Sequence, residues 1–174
     1  MWLLLALTLD ALAVPAQVYV GTGLGAGDVD YAAQVGARCL RLGLLVSLVV
    51  GALTVALSPV LPYVFTTDGA VHHQATLALV VCGLLQPFAA LAFVYDGLLL
   101  GAGDYRTLRR AMLLALIAFL PLSVATLVDH RLGIVGIWLA LTCWLAARTV
   151  LLARAWPRYT SRATAAAATA APLR

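Results

Sequence analysis

Scanned for apolar and polar positions alone, the chain divides into five long apolar stretches, at about 2–24, 42–61, 72–100, 108–128 and 132–153. Each reaches the ~20 residues that an α-helix needs to cross a bilayer. The breaks between them are short and carry glycine, proline, aspartate and arginine. The pattern predicts an all-α integral membrane protein of about five transmembrane helices. Residues 84–110, LLQPFAALAFVYDGLLLGAGDYRTLRR, organise the rest. They hold Gln86 and Pro87 at depth and Asp96 near the exit. They then break at Gly101-Ala102-Gly103-Asp104 into Arg106, Arg109 and Arg110. Leu-Gly-Ala-Gly-Asp occurs once before, at 24–28. Glycine stops a helix and aspartate caps the next. Gly25, Gly27 and Asp28, and again Gly101, Gly103 and Asp104, therefore read as structural turns on one side of the bilayer.

Between the first two spans, residues 31–41 form a short amphipathic segment with Arg38 and Arg41 at the water boundary. Pro59 and Pro62 close the second span. Pro87 removes one backbone hydrogen bond and predicts a kink in the third. After Trp156-Pro157 the sequence turns to low-complexity Ala/Thr with scattered arginine. The organisation expected is a transmembrane unit over 1–156 and a disordered cytoplasmic tail over 157–174.

Composition narrows the class. Hydrophobic residues make up 64% and charged residues 10%, against about a quarter charged in an ordinary globular chain. The bilayer is the solvent that suits such a sequence. Every acid is Asp and every base Arg, a compositional skew rather than a functional signal. The net charge of +4 calls for no nucleic acid, because the arginines cluster at membrane exits. Eight of them (38, 41, 106, 109, 110, 154, 158 and 162) fall after odd-numbered spans, against Arg131 on the other side. The positive-inside rule then puts the amino terminus outside a plasma membrane and the tail in the cytoplasm. Five crossings that begin outside read as the last part of something longer. MWLLLALTL imitates a signal peptide, but it lacks a basic start and Asp10 interrupts it, so a retained span is expected. Cys39, Cys82 and Cys143 have no metal-ligand spacing and read as small buried hydrophobes.

Polar groups inside the spans are the candidates for chemistry, because hydrocarbon tolerates them only against protein or water. Asp10 and Gln17, seven apart, share one helical stripe with Ala13 and Gly21. Asp10 either lines a central cavity and titrates or binds a cation, or stays neutral and hydrogen-bonds a neighbouring helix. Gln17 shares its fate. Gln86 beside Pro87 lines a cavity or packs. Asp96, five residues before Gly101, pairs with Arg106 or Arg109 as an anchor or gate, with a direct ligand role as the alternative. Arg148 snorkels toward the headgroups. The adjacent His72 and His73 point to different sides of a helix and suit interfacial solvation. The tryptophans suit anchoring and packing. No nucleophile–base set, metal cluster or phosphate loop appears; the Gly-Ala-Gly-Asp turns lack the βα context that nucleotide binding needs. Neither an enzyme nor a bound cofactor or metal is expected.

Four separated segments then carry a family resemblance. ALTLDALAVPAQVYVGTGLGAGD, PVLPYVFTTDGAV, LLQPFAALAFVYDGLLLGAGDYRTLRRAM and GIVGIWLALTCWLAARTV occur in that order between Leu3 and Arg154. They resemble the carboxy-terminal lobe of a MATE multidrug and toxin extrusion transporter, in particular the DinF-like branch. The resemblance implies helices 8–12 of a twelve-helix, two-lobed fold, an incomplete second lobe. It implies a cation-coupled antiporter, driven by H+ or Na+, that expels organic cations or drug-like compounds. The amino-terminal lobe would then lie on another polypeptide. The proton-coupling acid of the DinF-like branch belongs to the first helix of the fold, which the matched segments do not include. The acid of the Na+-coupled branch aligns with Ala89, so neither family cation site carries over. Two rival functions follow: a non-transporting fragment of a truncated or split gene that only packs with other subunits, and a lipid-precursor flippase of the same superfamily.

Overall fold

A computed structural model describes residues 2–65, 68–128 and 133–170. Five helices make up the fold: α1 (Trp2–Gly25), α2 (Val29–Leu57), α3 (Gly69–Gly101), α4 (Tyr105–Val128) and α5 (Gly133–Ala170), with a 3-10 turn at Leu61–Val64 between α2 and α3. Among the described residues four helices are long and apolar enough to cross a membrane: Val29–Leu57, Val71–Gly101, Tyr105–Thr126 and Gly136–Ala165. Helix α1, of 24 residues, holds Asp10 as its one charged side chain.

The two Gly-Ala-Gly-Asp turns are built alike, and their hydrogen bonds explain why. The Asp28 N–H donates to the Gly23 carbonyl at 2.9 Å and the Gly27 N–H to Leu24 at 3.0 Å. In the second copy Asp104 N–H donates to Leu99 at 3.0 Å and Gly103 N–H to Leu100 at 3.1 Å. This is the Schellman closure, which needs a left-handed residue just past the helix. Gly27 (φ +79°) and Gly103 (φ +70°) supply it. The aspartate after each then caps the following helix. Asp28 Oδ1 accepts from the Tyr31 N–H at 2.8 Å; Asp104 accepts from the Thr107 N–H at 3.1 Å and the Thr107 hydroxyl at 2.6 Å.

Helix α3 stands at the centre, packed against α1, α2, α4 and α5. Small residues set its distance from α1. A Cβ placed on Gly97 would lie 2.3 Å from the Ala13 carbonyl oxygen, and one on Gly101 2.3 Å from that of Gln17. This small-xxx-small spacing lets two backbones touch where hydrocarbon offers no hydrophobic drive between helices. At the basic end Val20, Leu98, Leu152 and Trp156 share a buried cluster. Toward the opposite end Leu9, Leu85, Ala89 and Leu145 share a second, with Phe93, Trp138 and Trp144 against it. The outward faces stay apolar, as Leu45, Val49 and Leu53 on α2 and Leu113, Ile117 and Leu120 on α4 show.

Two expectations require correction. Residues 31–41 are not a separate amphipathic segment; α2 runs unbroken from Val29, held close by Gly36, where the Trp156 ring lies against the backbone. Residues 157–170, expected to be disordered, continue α5 through Pro157. Alanine, the strongest helix former, dominates that stretch. Its first turns are also docked: the Tyr159 hydroxyl donates to the Ala102 carbonyl at 3.0 Å, and the Tyr159 ring stacks on Trp156. Arg131 and the break from the fourth to the fifth span at 129–132 lie outside the described residues, as do 171–174 of the tail.

Candidate functional site

The charged groups buried between helices meet at the seam of α1, α3 and α5. Asp96 of α3 and Arg148 of α5 are both buried, and Arg148 Nη2 donates to Asp96 Oδ2. Trp144, one turn before Arg148, supports the guanidinium from below, with its ring centroid 5.2 Å from the guanidinium carbon. Such a placement lets the ring face offset part of the cation's desolvation. One residue on, the Thr149 hydroxyl donates to the Phe88 carbonyl at 3.0 Å, a second polar tie between the same helices. Asp96 Oδ1 and Arg148 Nε have no hydrogen-bond partner among the described residues. The pair is therefore matched in charge while part of its hydrogen-bonding capacity stays open.

Asp10 stands at the edge of this seam. It is exposed on α1, one turn before Ala13, whose backbone packs on Gly97 beside Asp96. Gln17, two turns along the same stripe, is exposed as well. The stripe borders α3, because Ala13 and Gly21 on it approach Gly97 and Gly101. The described residues offer neither Asp10 nor Gln17 a hydrogen-bonding side chain or an ion pair. A carboxylate, a second carboxylate and a guanidinium thus stand in sequence from the surface inward.

Gln86 lies elsewhere. It is ten residues before Asp96 on the same helix, ~15 Å of rise. It is fully buried, with its amide nitrogen 3.4 Å from the Cys82 carbonyl and its Oε1 without a partner among the described residues. Ala89 is buried in the apolar cluster with Leu85 and Leu145. The six turn residues, Gly25, Gly27, Asp28, Gly101, Gly103 and Asp104, form the helix connections at the basic end; of them Gly101 also packs on the α1 backbone at Gln17.

Two expectations change here. The partner of Asp96 is Arg148, not Arg106 or Arg109, and Arg148 turns into the bundle instead of snorkelling. The reason is the length of α5. With the helix running to Ala170, Arg148 is an interior residue, and Arg154, Arg158 and Arg162 take the boundary positions. One signal was available in the sequence. Asp96 and Arg148 are an acid and a base, each two to three turns inside the basic exit of a parallel span.

Comparison with known proteins bears on the family and the fold. A family model described as MatE matches residues 1–128. Protein DETOXIFICATION 42 of Arabidopsis thaliana is 30% identical over 150 residues, covering 86% of this chain and 29% of that protein. Multidrug and toxin extrusion protein 1 of Danio rerio is 31% identical over 129 residues, covering 73% of this chain and 22% of that protein. The crystal structure of the eukaryotic MATE transporter AtDTX14 superposes with a TM-score of 0.82 at 21% identity, covering 94% of this chain and 38% of that one. The chain thus spans less than a third of the length of these curated relatives. It shares the helical fold of part of a MATE transporter, and by the match over residues 1–128 it belongs to the MatE family.

Proposed function

We propose that this chain forms part of a cation-coupled efflux antiporter for organic cations or drug-like compounds, and that its α1–α3 face is one wall of the transport cavity. The observation that carries the reading is the exposed Asp10–Gln17 stripe on an otherwise apolar helix. A carboxylate facing hydrocarbon costs at least about 2.5–3.5 kcal/mol, so this face calls for water or a second protein wall. In alternating access two bundles rock about a site near the mid-membrane. An amino-terminal lobe supplies the opposing bundle. Asp10 takes the coupling ion, H+ or Na+. The Asp96–Arg148 pair holds α3 to α5 as the wall moves. Membership of a family whose relatives include proteins named for multidrug and toxin extrusion supports the substrate class.

The arginine distribution supports a plasma-membrane orientation with the amino terminus outside and the carboxy terminus in the cytoplasm. The α1–α2 and α3–α4 turns and the Trp156–Tyr159 segment share one end of the bundle, and Arg106, Arg109, Arg110, Arg158 and Arg162 go with them. The test is efflux of a fluorescent cationic dye from cells expressing this chain with a candidate first lobe. Dye expulsion abolished by Asp10→Asn supports the reading. Efflux unchanged by Asp10→Asn removes Asp10 from the mechanism, and no efflux with any first lobe favours a non-transporting fragment.

A further inference from the structure

Between the start of α4 and the far part of α5 lies a cavity of about 370 Å³, within the ~300–1,000 Å³ range of small-molecule sites. Four guanidinium-bearing residues line it: Arg110 from α4, and Arg154, Arg158 and Arg162 from α5. The three on α5 repeat every four residues and so share one face of the helix. None of the four has an ion-pair partner among the described residues. Asp104, the one acid in the lining, already has both oxygens engaged by Thr107. Four guanidiniums against one carboxylate leave the cavity net positive, and an anion relieves the repulsion among them.

The remaining lining chooses the anion. Leu114 and Leu151 form the membrane-side floor of the cavity. Arg110, Leu114 and Ile117 follow one another along one face of α4 at spacings of four and three. Leu114 and Ile117 are both more than half exposed, at 52% and 62%. A charged head and an open apolar track are thus continuous on one surface. The Tyr159 tie to Ala102 fixes the cavity at the level of the helix turns, where headgroups lie. Arginine forks match phosphate geometry, and basic pockets between helices at a membrane boundary suit anionic lipid heads.

We propose that this cavity binds the phosphodiester headgroup of an anionic phospholipid, with the guanidiniums of Arg110, Arg154, Arg158 and Arg162 on the phosphate and an acyl chain along Leu114 and Ile117. This does not depend on the transport reading. It also separates these four arginines from Arg106 and Arg109, which share the same end of the bundle but lie outside the cavity.

The test is native mass spectrometry of the full chain in neutral detergent. It is titrated with phosphatidylglycerol, with phosphatidylcholine, and with inorganic phosphate alone. Phosphatidylglycerol should bind at least about tenfold more tightly than phosphatidylcholine, and inorganic phosphate more weakly than either lipid. Arg154→Gln/Arg158→Gln should weaken phosphatidylglycerol by at least about tenfold, whereas Arg106→Gln/Arg109→Gln, which removes equal charge from the same end, should change it by less than about twofold. Arg110→Gln, on the other helix, should give a measurable loss by itself with helical content unchanged. Equal binding of the two lipids, or equal losses in the two double variants, would overturn the proposal. So would inorganic phosphate binding as tightly as the lipid, which would make this a free-anion site.

Discussion

Arg148 of α5 reaches across the bundle to Asp96 of α3, and each is charged within a stretch that is otherwise apolar. The pairing makes α3 and α5 a unit in the interior, where an unmatched charge is far costlier than a matched one. Arg148→Met should therefore destabilise the chain by ~3–5 kcal/mol, because it leaves Asp96 buried without its counter-charge. Asp96→Asn combined with Arg148→Met should recover most of that loss. Unfolding in mixed micelles checks both, through the sign of the coupling between the two changes.

The α1–α3 seam makes a second prediction. At Gly97 even a methyl group meets the Ala13 carbonyl oxygen at 2.3 Å, so the two backbones must separate. Gly97→Ala should cost ~1–3 kcal/mol, as overpacking does. Gly25 is the contrast, for a Cβ there meets nothing within 4 Å. Gly25→Ala should be neutral or stabilising, since alanine is favoured over glycine in a helix by about 0.5–1 kcal/mol. Thermal denaturation of the two variants side by side checks the difference.

The turn at Gly103 depends on its left-handed backbone, φ +70°. Gly103→Ala should lose ~1–2 kcal/mol from that conformation alone, although the space around it is open. Gly103→Asn should lose less, because asparagine visits the left-handed region more readily. Asp104→Ala should cost ~0.5–2 kcal/mol through the lost cap on α4. The same micelle unfolding measurement ranks the three.

Docking of the far part of α5 makes a fourth. Tyr159→Phe removes the hydrogen bond to the Ala102 carbonyl and should cost ~0.5–1.5 kcal/mol. Amide exchange should then quicken beyond Trp156 while α3 and α4 stay protected. Exchange measured by mass spectrometry resolves the two regions.

These contacts also show how far the sequence could be read. The five apolar stretches and the repeated Gly-Ala-Gly-Asp turns were legible, because span length and a glycine followed by a cap are local signals. Where α5 ends was not. Arginines at 154, 158 and 162 and a proline at 157 interrupt the apolar run, yet a helix that docks Trp156 and Tyr159 continues past them. That boundary then misplaced Arg148, and with it the partner of Asp96. The stripe holding Asp10 and Gln17 followed from spacing alone. Which side of that stripe another helix covers depends on tertiary neighbours that periodicity does not encode.

The central claim is that Asp10 and Gln17 face a water-filled cavity closed by an opposing lobe rather than lipid. The direct measurement places single cysteines at positions 10 and 17, after replacement of Cys39, Cys82 and Cys143, in cells that also carry the first lobe. A membrane-impermeant maleimide should label both positions, and should leave cysteines at the lipid-facing positions of Val49 and Ile117 untouched. If positions 10 and 17 are as unreactive as 49 and 117, and react only with a probe dissolved in the bilayer, the cavity-wall assignment is wrong.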